Sequence, residues 1–110
     1  MTNNYGIPDW LEKKVRERDK FCIYCHVEMK EYPHVRGTPK DKATIEHIDN
    51  DVNHISEENI AMCCASCNAS KGKKPLSEWF DSEYCKKRGI SKEKVADVVR
   101  KHIENEERNK

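Results

Sequence analysis

No stretch of this chain approaches the roughly 18 apolar residues that a membrane span needs. The opening "MTNNYGIPDW" has neither a basic n-region nor an apolar h-region, so no signal peptide is expected. Hydrophobic residues are scarce at 35% and aromatics scarcer at 7%, against 37% charged residues. A chain of 110 residues with that balance reads as one domain, 1–110, with a thin core. Net stability is a small difference between large terms, so such a domain calls for a disulfide, a metal or a partner. An excess of one charge sign is missing too, since the net charge is +1, which points neither toward nor away from nucleic acid. The charges that exist are unevenly placed. "KKVRERDK" (Lys13–Lys20), "KGKK" (Lys71–Lys74) and "KKR" (Lys86–Arg88) are basic-rich, and "ENEE" (Glu104–Glu107) is acidic. Internal repeats and low-complexity tracts are absent.

What the chain does have is six cysteines. Without an export signal its setting is expected to be cytoplasmic, where thiols stay reduced and a disulfide framework is disfavoured. Four of the six form two C-x-x-C knuckles, Cys22–Cys25 and Cys64–Cys67. Paired knuckles are the usual donors of a closed tetrahedral zinc site. Because His26 follows Cys25, the first knuckle also spells a haem-attachment sequence, but that use requires export and leaves the second knuckle idle. A thioredoxin-like dithiol would need a surrounding βαβ pattern, which is missing. Cys63 neighbours Cys64 and creates a choice of register. Cys64 makes the better knuckle, leaving Cys63 and Cys85 as buried thiols. A zinc ion on Cys22, Cys25, Cys64 and Cys67 would join distant parts of the chain and stabilise a fold that its core alone cannot.

The pattern around these ligands predicts an α+β fold. Pro8 opens an N-terminal helix over about 8–19, with Trp10, Leu11 and Val15 on its apolar face. Residues 32–41, with two prolines and a glycine, read as a loop. "ATIEHI" (Ala43–Ile48) reads as a strand with Thr44 and Glu46 on one side and Ile45 and His47 on the other. "IAMCC" leads into the second knuckle, and "NASKGKK" opens a short helix. After Pro75, Ser77 would cap a helix carrying Trp79, Phe80 and Tyr84 and ending at Gly89. Ser91 would cap a last helix with Val95, Val98, Val99 and Ile103 at helical spacing. The core spans about 21–74 and the helical extension about 76–108.

A closed four-thiolate zinc does no hydrolytic chemistry itself. Chemistry, if present, rests on polar residues between and after the knuckles. Glu46 and His47 stand side by side in "TIEHIDN". Asn59 precedes the second knuckle, Asn68 follows its last cysteine, and Lys71 lies three positions beyond Asn68, on the same helix face.

The pieces "FCIYC", "TIEHI" and "EENIAMCCASCNASKGKK", in that order, resemble the HNH endonucleases, ββα-metal nucleases with a treble-clef-like zinc scaffold. The resemblance covers roughly Phe21 to Lys74. It implies a metal-dependent endonuclease that hydrolyses DNA phosphodiester bonds, with bacterial and phage relatives. Carried over residue by residue, it makes His47 the general base and Asn59 a brace for the loop that orients it. It also implies that Glu46 and Asn68 hold a catalytic Mg²⁺ or another divalent ion. Lys71, Lys73 and Lys74 would face DNA phosphates, and a helix N-terminus near Asn68 would favour an anion. The chain departs from the family in having Glu46 where Asp is usual, and Asn68 where His is common. The competing expectation is a catalytically silent zinc module that binds DNA or protein. It needs both knuckles and the basic runs, but not Glu46, His47 or Asn68.

Overall fold

A computed structural model describes residues 5–32, 37 and 39–108. The described chain combines helices with one two-stranded antiparallel sheet, an α+β arrangement. The order is α1 (Asp9–Arg18), β1 (Ala43–His47), β2 (Ile60–Cys64), α2 (Ala65–Lys71), α3 (Leu76–Trp79), α4 (Glu83–Arg88) and α5 (Asp97–Arg108). Among the described residues no helix is long and apolar enough to cross a membrane.

The sheet organises everything else. Its register pairs Thr44 with Cys63, Ile45 with Met62, Glu46 with Ala61 and His47 with Ile60. Paired residues share a face of the sheet. Ile45, Met62 and Ile60 therefore meet Ile7, Leu11 and Val15 of the N-terminal segment and α1. Cys63 and Ala61 lie on the other face, in a cluster with Ile23, Tyr24, Ile48, Trp79, Cys85, Ile90, Val95 and Val99. Every residue of β2 is buried, as expected for a strand covered on both faces. Beyond β2 the chain closes the remaining edge. Asp19 Oδ2 accepts the Met62 N–H at 3.1 Å, and Ile23 N–H donates to Met62 O at 3.4 Å. Arg18 adds hydrogen bonds to the carbonyls of Glu57 and Ile60.

Several expected boundaries move. Leu11 and Val15 are buried as i, i+4 neighbours, but Trp10 is exposed and stands off the apolar stripe, because one residue turns a helix by over a quarter of its circumference. The helix after the second knuckle starts at Ala65 rather than Asn68, because Cys64 is its cap: its Sγ accepts the Cys67 N–H at 3.4 Å. The helix expected from Ser77 is two helices. Pro75 leads into the single turn of α3, and Ser82, in extended conformation, accepts the Cys85 N–H and starts α4 afresh. Gly89 ends α4 in the left-handed region at φ 68, where a side chain would be strained. Ser91 opens only a turn, and α5 begins at Asp97. Of the loop expected over 32–41, residues 33–36 and 38 lie outside the described residues.

Candidate functional site

The four knuckle sulfurs converge. The Sγ atoms of Cys22, Cys25, Cys64 and Cys67 all lie within 4.8 Å of one another, and those of Cys25 and Cys64 are 3.7 Å apart. Each knuckle is a tight turn that points a backbone amide at its first sulfur: Tyr24 N–H at Cys22 and Cys67 N–H at Cys64, both at 3.4 Å. The Tyr84 hydroxyl, itself hydrogen-bonded to Ser66, donates to Cys67 Sγ at 3.3 Å. Hydrogen bonding among the thiols, with Cys25 and Cys22 as mutual partners, drives the Cys22 pKa up and the Cys25 pKa down. Four thiols this close cannot all ionise without a cation between them. Four soft donors in this arrangement fit a metal ion. Cys63, one residue away, points instead toward Thr44 in the core, and burial pushes its thiol up. Cys85 is likewise buried and outside the cluster.

His47 ends β1 on the face opposite Glu46. Its ring meets Tyr5 edge-on, with centroids 4.9 Å apart, and its Nε2 is buried with no hydrogen-bond partner among the described residues. Burial lowers the imidazole pKa, while the nearby Asp49 and Asp51 carboxylates pull it back up. The lowered pKa favours the neutral ring, whose buried Nε2 has no hydrogen-bond partner among the described residues.

Past His47 the chain turns back toward β2, and Asn59 shapes that turn. Its fully buried carboxamide accepts the Asp49 N–H and donates to His54 O, both at 2.9 Å. Within the loop, Asp49 Oδ2 and His54 Nδ1 lie 2.6 Å apart. Burial pushes the Asp49 carboxyl up, but hydrogen bonds from His54, the Asp51 amide and Asn59 together hold it below its usual range.

On the other face of β1, Glu46 and Lys71 form a buried ion pair, Nζ to Oε2 at 3.3 Å. The Tyr24 hydroxyl donates to the same carboxylate oxygen at 2.7 Å, and Lys71 Nζ also donates to Asn50 Oδ1 at 2.6 Å. Burial raises the Glu46 pKa, and Lys71 and Tyr24 oppose that rise. Asn68 lies one helical turn before Lys71. Its Nδ2 donates to Thr44 Oγ1 at 3.0 Å and Ile45 O at 3.3 Å, which leaves its oxygen as the free end.

The chain matches no family model, no curated protein and no solved structure.

The expected residues thus gather around β1, but not on one point. The cysteine quartet assembles with Cys64 rather than Cys63. Asn59 bonds across the loop after β1, to Asp49 and His54. Glu46 and Asn68 share the α2 face of the strand, whereas His47 faces the N-terminal segment. The expectation that Lys71 faces phosphate does not hold: the side chain is wholly buried because its charge is spent on Glu46 and its donors on Asn50. Lys73 and Lys74 are exposed. Asn68 is not at a helix N-terminus but in the middle of α2. Tyr24, Asn50, His54 and Tyr84 are partners in the site that the sequence reading does not single out. Asn50 was the most legible of them, since an Asn just after a strand tolerates the left-handed turn it adopts here at φ 66.

Proposed function

We propose that the chain is a nuclease of the ββα-metal, HNH type, an endodeoxyribonuclease with a structural zinc on Cys22, Cys25, Cys64 and Cys67. His47 is its general base for hydrolysis of DNA phosphodiester bonds. Zinc suits the quartet in size as well as in softness. Tetrahedral Zn–S bonds of about 2.3 Å put neighbouring sulfurs about 3.8 Å apart, and the Cys25–Cys64 separation of 3.7 Å agrees. The order of knuckle, hairpin, knuckle and helix supports a treble-clef-like scaffold. When bound, the zinc cross-links the two knuckles and leaves no open position for substrate.

One observation carries the catalytic assignment: a neutral imidazole at a strand end, with its Nε2 buried and unpartnered. A buried polar atom with no partner is costly, and such atoms cluster where function requires them. A neutral imidazole nitrogen takes a proton from an attacking water, and its lowered pKa keeps it in that form at neutral pH. Lys73 and Lys74 are exposed and lie beside the turn after His47, where Asn50 Nδ2 bonds both of their carbonyls, so they offer phosphate a cationic surface at that turn.

Glu46 and Asn68 do not fit a hard divalent ion as a pair. The carboxylate already balances the Lys71 ammonium, which opposes a second cation, and only the Asn68 oxygen is free. No step is therefore assigned to an ion there.

Plasmid nicking tests the proposal, with and without Mg²⁺. The parent protein should nick and His47→Ala should not. Equal nicking by both removes His47 from the mechanism. The neutralised Glu46 carboxylate favours a second possibility, a silent zinc module that binds DNA. In that case neither protein nicks, yet both bind DNA with strong salt dependence.

A further inference from the structure

We propose that Lys71 and Glu46 are positioning residues for His47: a buried ion pair that holds the backbone on both sides of the imidazole. This deepens, and rests on, the assignment of His47 as the base. Lys71 Nζ reaches two points that flank His47. One is Glu46, the residue before it, at 3.3 Å. The other is Asn50, at 2.6 Å, whose own N–H donates to His47 O at 2.9 Å and so closes the turn after it. Asn50 is locked in turn by bonds from its Nδ2 to the carbonyls of Lys73 and Lys74, at 3.0 and 3.1 Å. On the far side, the Tyr24 hydroxyl ties the Glu46 carboxylate to the first knuckle at 2.7 Å. The imidazole backbone is thus referred, through one ammonium, to α2 and, through one phenol, to the metal-binding turns.

The burial decides between this role and a phosphate contact. A lysine that meets DNA keeps its head in water, whereas Lys71 is wholly buried and its charge is matched by Glu46. A buried ion pair is weak evidence for stability, because apolar residues of similar volume often serve as well. What apolar residues cannot supply is a directed bond to a carboxylate and a carboxamide at once.

The test compares zinc-loaded parent, Lys71→Met, Glu46→Gln and the double variant. It uses steady-state nicking, the salt dependence of DNA binding, and NMR of the His47 ring signals. Positioning predicts that Lys71→Met lowers kcat by about 100-fold while KM and the salt slope stay as in the parent, and that the His47 signals shift or split. The double variant leaves no unpaired charge at this position, so it stays folded even if Lys71→Met does not, and it should show the same loss of kcat. A salt slope reduced by about one with kcat intact makes Lys71 a phosphate contact and overturns the proposal. So does a Glu46→Gln defect that high Mg²⁺ restores, which makes Glu46 an ion ligand. If the parent cuts no DNA, the nuclease assignment fails by itself and the NMR arm decides: unchanged His47 and Asn50 signals in folded Lys71→Met overturn the positioning role.

Discussion

Replacing Asn59 by alanine should destabilise the protein by about 2–3 kcal/mol, although Asn59 touches no metal ligand. Each of its two hydrogen bonds contributes about 1 kcal/mol net. The Asp49 amide it serves is half-buried and is left short of an acceptor, whereas the exposed His54 carbonyl finds water. The side chain is fully buried, so truncation adds a small cavity. At about 4–8 °C per kcal/mol for a domain near this size, the melting temperature should fall by roughly 10–20 °C. Asn59→Asp is the sharper probe. It is nearly isosteric and keeps an acceptor for Asp49 N–H, but it turns a carboxylate oxygen toward the His54 carbonyl and buries an unpaired charge near Asp49. At neutral pH the order of melting temperatures, followed by circular dichroism with zinc saturating, should be parent, then Asn59→Ala, then Asn59→Asp. A Asn59→Asp melt that matches the parent would refute the idea that the carboxamide, with its two distinct ends, builds this loop.

Three further outcomes are expected. Cys22→Ser should lose zinc and unfold, since structural zinc contributes roughly 10–16 kcal/mol of apparent binding energy, more than a typical domain's whole stability; one zinc per chain and an unchanged melt, read by metal analysis and calorimetry, would contradict this. Nicking should fall away in acid as His47 takes up a proton, with the midpoint below the ordinary histidine range of about 6.5 because burial lowers its pKa. Because Asp51 raises that pKa, Asp51→Asn should move the acid limb of the kcat/KM profile to still lower pH, and a shift toward neutrality would contradict the assignment.

The cysteine cluster was legible because its information is local. Each C-x-x-C sets two sulfurs one turn apart whatever the rest of the chain does, and only the meeting of the two knuckles is tertiary. The β1 alternation was legible for the same reason: a period of two puts Glu46 and His47 on opposite faces. That alternation already conflicted with the expected convergence of both residues on one reaction centre, and the structure keeps the faces apart. The identity of Glu46's partner was not legible. Lys71 and Asn68 share a helix face in either account, but only packing decides which of them reaches Glu46. Once α2 starts at Ala65, Asn68 falls beside Thr44 and Lys71 beside Glu46. Helix boundaries in the extension failed where two caps competed. Ser77 and Ser82 are both good N-cap types, and only Ser82 has the extended backbone and a free amide three residues on.

The weight of the site falls on α2, which at seven residues is too short to hold a helix in water unaided. Its order must come from its attachments, and they are spread along its whole length. Cys64 caps its start and Cys67 carries a metal-binding sulfur. Asn68 bonds β1, and Ser70 Oγ accepts the Trp79 indole N–H at 3.0 Å. At its end stands Lys71, buried against Glu46. If the quartet holds a metal as proposed, removing it would release the Cys67 sulfur and, through a helix with no stability of its own, loosen Lys71. Glu46 then keeps its burial but loses its counter-charge, a state that favours either protonation or local opening of β1. The residue next in line on that strand is His47. On the proposed reading, a zinc that touches no substrate would govern His47 through one short helix and one buried lysine, and chelation would remove activity without removing a catalytic ion.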